Sequence, residues 1–86
     1  LVEKENTMNI PEGITMTPVD SSMILEVGYD AANLHLYVTF KGSKKGPENW
    51  RYDGVLPPVH TALMGAASVG RFFLTNIKGR YTAHKL

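Results

Sequence analysis

The 86-residue chain contains no cysteine. That excludes disulfides, thiolate nucleophiles and cysteine-ligated zinc, and it suits a cytoplasmic protein. Charged residues make up only 20% of the sequence against 43% hydrophobic residues, a balance that argues against wholesale disorder. No apolar run approaches the roughly 20 residues of a membrane-spanning helix. Internal repeats and low-complexity tracts are absent. Gly28, Gly42, Gly46, Gly65 and Gly70 match neither a phosphate-binding Walker loop nor a dinucleotide fingerprint. His35, His60 and His84 are dispersed without the spacing of metal ligands, and are expected on a strand surface, a helix surface and a tail. Ser21 and Ser22 beside Asp20 read as a turn, since no histidine is placed by the sequence to activate a hydroxyl. Glu26, Asp30, Glu48 and Asp53 carry no spacing that marks an acid–base pair. A non-enzymatic protein with no cofactor and no metal is the expectation.

What the sequence does contain is an ordered series of short elements in a single small domain. Met23-Ile24-Leu25-Glu26-Val27-Gly28-Tyr29 and Leu34-His35-Leu36-Tyr37-Val38-Thr39-Phe40 alternate with the period of strands. In the first run Met23, Leu25, Val27 and Tyr29 are expected on one face. In the second, Leu34, Leu36, Val38 and Phe40 share a face, with His35, Tyr37 and Thr39 opposite. The four residues from Asp30 to Asn33 are enough for an antiparallel hairpin and too few for a parallel crossover. Residues 41–47, Lys-Gly-Ser-Lys-Lys-Gly-Pro, read as a flexible basic loop. A third strand then sets Trp50 and Tyr52 on one face and Arg51 and Asp53 on the other. Ile14 to Thr17 alternates like a strand but is stopped by Pro18, which restricts it to a sheet edge.

Pro57-Pro58 fits a helix entrance, where a missing amide donor costs little. Val59, Leu63 and Met64 follow with helical spacing. Ser68 is placed to cap a second helix carrying Val69, Phe72, Phe73 and Ile77, with Lys78-Gly79 as its stop. One face of the hairpin is too apolar to leave wet, and the two helices carry the side chains to cover it. The fold class expected is α+β: an antiparallel sheet of about three strands followed by two short helices packed on one face. Residues 1–18 read as an N-terminal arm, 19–81 as the domain and 82–86 as a basic tail.

The net charge of +1 conceals an asymmetry. Residues 1–40 carry six carboxylates against Lys4, whereas residues 41–86 carry eight lysines and arginines against Glu48 and Asp53. That half contains a basic and aromatic set: Lys44, Lys45, Trp50, Arg51 and Tyr52, then Arg71, Lys78, Arg80 and Tyr81, with Tyr37 nearby in the second strand. Unpaired bases stack on aromatic faces while cations neutralise phosphate, so this pairing of residue types suits single-stranded nucleic acid. The competing reading is that Trp50 and Tyr52 complete a small core and the lysines merely solubilise a loop.

The segments Val19-Asp20-Ser21-Ser22, Val27-Gly28-Tyr29-Asp30, Leu34-x-Leu-x-Val-x-Phe, Val55-x-Pro57 and Ala67-Ser68-x-Gly70-x-Phe72-Phe73, with Ile77 and Tyr81, resemble the KTSC domain family in order and spacing. Trp50-Arg51-Tyr52 stands where that family usually has Tyr-x-Tyr, and the loop before it is enlarged. The family is named for the C-terminus of some lysyl-tRNA synthetases and also contains small bacterial or phage proteins. The resemblance implies a small binding module and supplies RNA binding as a lead. Three functions remain open: a module for single-stranded RNA or another single strand; a self-assembling or protein-interaction adaptor whose arm pairs with a neighbour, making a homo-oligomer; or a binder of small anionic nucleotides.

Overall fold

The computed structural model describes residues 10–86, so the first nine residues of the expected arm lie outside the described residues. Its fold is α+β. A five-stranded antiparallel sheet runs in the order β1 (Thr17–Pro18), β2 (Ile24–Asp30), β3 (His35–Ser43), β4 (Gly46–Asp53) and β5 (Thr82–Lys85). Helices α1 (Pro57–Met64) and α2 (Val69–Asn76) follow β4 and contribute to one core with the sheet. The three expected strands form its centre. The other two strands are its edges: β1 keeps only Thr17 of the edge strand expected over residues 14–17 and includes Pro18, which pairs with Glu26, and β5 occupies the stretch that reads in sequence as a tail.

The β2–β3 turn is fixed by Asp30, whose carboxylate accepts from the amides of Ala32 and Asn33 and from Asn33 Nδ2. Leu36 and Val38 on β3 are wholly buried beneath Leu63, Phe73 and Ile77, as alternation requires. The first strand departs from simple alternation. Ile24 pairs with Phe40 and Glu26 with Thr39, so a bulge places Leu25 outside the ladder. Ile24 and Val27 therefore both enter the core, whereas Leu25, expected inside, is 40% exposed. One inserted residue shifts the two-residue period by one position.

The basic loop is also shorter than expected. β3 continues to Ser43 and β4 begins at Gly46, leaving only Lys44 and Lys45 in the turn. Gly42, with φ of +74°, makes this possible: a Cβ there would lie 1.8 Å from the Gly46 carbonyl oxygen. Pro47 falls inside the same register shift, between the Phe40↔Glu48 and Ser43↔Gly46 pairs, where the ladder is interrupted and its missing donor matters less.

α1 starts on its prolines and α2 on Ser68, whose Oγ accepts from the Arg71 amide. The face of the sheet turned away from the helices is partly covered by the chain preceding β1. A Cβ on Gly28 would come within 2.5 Å of Met16 Sδ and 2.9 Å of Ile14 Cγ2. Gly28 is thus the low point over which residues 14–16 cross their own sheet.

Candidate binding groove and basic surface

The alternation of β4 divides the basic and aromatic set between two faces. Trp50 and Tyr52 pair with Val38 and Leu36 and face the helices. Tyr52 is only 5% exposed, and its ring meets Phe73 edge-on at 5.3 Å. Burial pushes its phenol up to about 12. Phe73 also receives Phe40 edge-on at 5.3 Å. Trp50 lies farther along β4, near-parallel to Tyr52 with centroids 6.5 Å apart, and keeps part of its surface open. Its indole Nε1 donates to Glu48 Oε1 at 3.3 Å.

Beside Trp50 the helical layer leaves a groove of about 370 Å³. Phe40, Trp50, Phe73, Leu74, Lys78 and Ala83 are among the residues that line it. Leu74, though a large apolar side chain, is 50% exposed there. Among the described residues Lys78 is the one charged residue of the lining. Ala83 belongs to edge strand β5, and its neighbour Lys85 is paired across the ladder with Trp50. Lys85 Nζ lies 3.5 Å from Glu48 Oε2.

On the opposite face Arg51 and Asp53 are joined by His35 and His84. Arg51 Nε donates to Asp53 Oδ1 at 2.8 Å, His84 Nε2 lies 2.9 Å from Oδ2, and His35 Nε2 lies 3.5 Å from Oδ1. The hydrogen bond from Arg51, seconded by His84, holds the Asp53 carboxyl below the usual carboxylate range. The same bond raises the Arg51 guanidinium. Tyr37 shares this face but is 3% exposed, beside Gly28 in register, and burial raises its phenol. Thr39 donates to Asn49 Oδ1 at 2.6 Å.

Tyr37 and Tyr52 therefore cannot offer an open ring to a base, and Arg51 is turned away from Trp50 and committed to Asp53. The sequence missed the converse grouping. His35, Asp53 and His84 meet only because residues 82–85 form a strand; the alternation Thr82-Ala83-His84-Lys85 carried that signal faintly. Among the described residues no group of three or more His, Asp or Glu side chains is placed to hold a metal ion.

Lys44 and Lys45 sit exposed at the β3–β4 hairpin tip. Trp50 lies five positions along the chain from Lys45, a span of roughly 16 Å at the rise of a strand. Lys78 and Arg80 follow α2, where Arg80 Nε donates to the Thr75 carbonyl. Arg71 is exposed near the start of α2, and Tyr81 packs partly against the core. The motif segments at the starts of β2 and α2 meet one another. Ser21 Oγ accepts from the amides of Met23 and Ile24, as its turn reading requires. A Cβ on Gly70 would approach that oxygen to 3.1 Å. This pairing locks β2 against α2.

The family model of the KTSC domain matches residues 20–81. A protein of Tsukamurella paurometabola is 38% identical over 68 residues, covering 79% of this chain and 96% of its own. The crystal structure of a KTSC domain protein from Yersinia pestis superposes with a TM-score of 0.77 at 38% identity, covering 86% of this chain and 99% of that one.

Proposed function

The chain belongs to the KTSC domain family, and for a domain of this build we propose a non-enzymatic module that binds single-stranded nucleic acid, RNA foremost. The observation that supports it is the disposition of charge. In residues 41–86 the two carboxylates are engaged, Glu48 near Lys85 and Asp53 with Arg51. Lys41, Lys44, Lys45, Arg71, Lys78 and Arg80 are all exposed. An anionic backbone is the extended polymer that such a surface attracts, and its counterions are released on contact. Of Tyr37, Trp50 and Tyr52, the strand aromatics expected to stack bases, Trp50 retains an open part, whereas Tyr37 and Tyr52 are buried.

Fluorescence anisotropy with labelled single-stranded RNA, single-stranded DNA and duplex, at low and moderate salt, tests the proposal. Single strands should bind, RNA above DNA, with affinity falling as salt rises. A folded wild-type protein that binds no strand of any composition at low salt overturns it. A second reading, a protein-interaction or self-assembling adaptor, draws on β5, a short edge strand without proline whose outer side has no partner strand among the described residues. Native mass measured across a range of concentrations, with and without residues 1–18, tests that reading; a mass that never departs from monomer removes self-assembly.

A further inference from the structure

The groove beside Trp50 has a shape and a charge that the general basic surface does not explain. Its lining is aromatic and aliphatic, and among the described residues its one charge is the ammonium of Lys78. Its occupant should therefore be flat or apolar over most of its surface and carry negative charge at one end. Ala83 keeps the β5 side of the groove low, and Gly79, whose φ of +80° suits glycine, adds no side chain beside Lys78. Leu74 leaves half of its surface to water at the α2 wall, an arrangement a bound ring would improve. The approximately 370 Å³ of space is at the small end of ligand sites. It has room for one base.

Resting on the single-strand reading above, we infer that this groove is a pocket for one unpaired nucleobase, seated against Trp50 and Leu74, with the adjoining phosphate held by Lys78. The strand then leaves across the exposed cations. Duplex is rejected because its bases cannot leave the stack without the cost of unpairing. Glu48 stands at the indole edge of the groove, hydrogen-bonded to Trp50 and close to Lys85. It favours a base that presents a donor there and opposes a second phosphate.

Trp50 is the single tryptophan of the chain, so its emission reports on the groove directly. The experiment titrates wild-type protein with unlabelled hexanucleotides of uridine and of adenosine, following tryptophan emission, while anisotropy of the labelled strands measures total binding. Two variants accompany it, Ala83→Phe, which fills the groove without altering charge, and Lys78→Ala. Thermal midpoints verify that both remain folded. Emission should change saturably with the same midpoint as anisotropy. Ala83→Phe should weaken binding by roughly 10- to 100-fold, the range expected for a lost base–aromatic stack, with little effect on the salt slope. Lys78→Ala should weaken binding and lower that slope. Strands that bind by anisotropy while Trp50 emission stays constant, or that bind Ala83→Phe as tightly as wild type, overturn the pocket and leave the single-strand reading standing. Emission that changes with uncharged nucleosides as strongly as with hexanucleotides overturns the phosphate role of Lys78. Absence of all strand binding overturns both proposals together. If Ala83→Phe does not fold, the wild-type emission and Lys78→Ala decide the matter without it.

Discussion

Tyr52 shows how burial alone can set a residue's chemistry. It sits between Leu36 on β3 and Phe73 on α2 with its phenol raised from 10.0 to about 12 by desolvation. The neutral phenol is the form the core accepts. Above pH 10 the unfolded chain gains from ionising this group while the folded chain resists it, so stability is lost as pH rises from about 10 towards about 12. A shift of this size corresponds to about 2–3 kcal/mol at the upper end. Tyr29 and Tyr37 are raised in the same direction and contribute to the same alkaline limb. Tyr52→Phe should therefore flatten the decline of the urea midpoint between pH 9 and 12 without abolishing it. A variant whose alkaline decline equals that of wild type would show that Tyr52 is solvated in the folded state.

At the scale of elements, the crossing of residues 14–16 over β2 yields a prediction of coupling. In most strands glycine is less favourable than alanine, because it has no side chain to pack and more freedom to lose. Gly28 should behave oppositely, since a Cβ would approach Met16 Sδ to 2.5 Å and the Thr15 carbonyl oxygen to 3.1 Å. Gly28→Ala should cost about 1–2 kcal/mol by overpacking. In a Met16→Ala background the cost should shrink, and the difference, measured by denaturation of the four proteins, is the coupling between arm and sheet. Equal costs in both backgrounds would mean that Met16 does not lie on Gly28 in solution. The sequence made the central elements legible because each carried a strong local pattern: β3 by alternation through Phe40, α1 by Pro57-Pro58, α2 by the Ser68 cap. It concealed what depends on distant partners. The Leu25 bulge is settled by where Phe40 and Thr39 fall on the neighbouring strand, not by anything in residues 23–29. β5 is four exposed residues whose strand conformation exists because β4 offers them an edge. The same cause hid the site. Trp50 and Arg51 are adjacent in sequence and turned to opposite faces in space, whereas Trp50 and Ala83 are distant in sequence and border one groove.

For the whole molecule, the distribution of charge separates electrostatic from stacking contributions. The hairpin tip that carries Lys44 and Lys45 stands roughly 16 Å along β4 from Trp50, too far for either lysine to act within the groove. Their contribution to strand binding should then be electrostatic alone. Each phosphate contact to a single strand contributes about 0.7 to the slope of log affinity against log salt. Replacing both lysines by alanine should reduce that slope by about 1.4 if both make contacts, and weaken RNA and DNA of every composition alike. Both side chains are exposed in a turn, so the thermal midpoint should stay close to wild type. Trp50 emission at saturation should also remain unchanged, because the groove is untouched. A double variant with an unaltered slope would remove the hairpin tip from the interface and leave the phosphate contacts to Lys41, Arg71, Lys78 and Arg80. A variant that lost affinity for some sequences and kept it for others would be equally incompatible with a purely electrostatic role, since phosphate contacts carry no direct sequence information. The uniform loss with a shallower slope is the outcome that a long basic hairpin beside a separate aromatic groove requires.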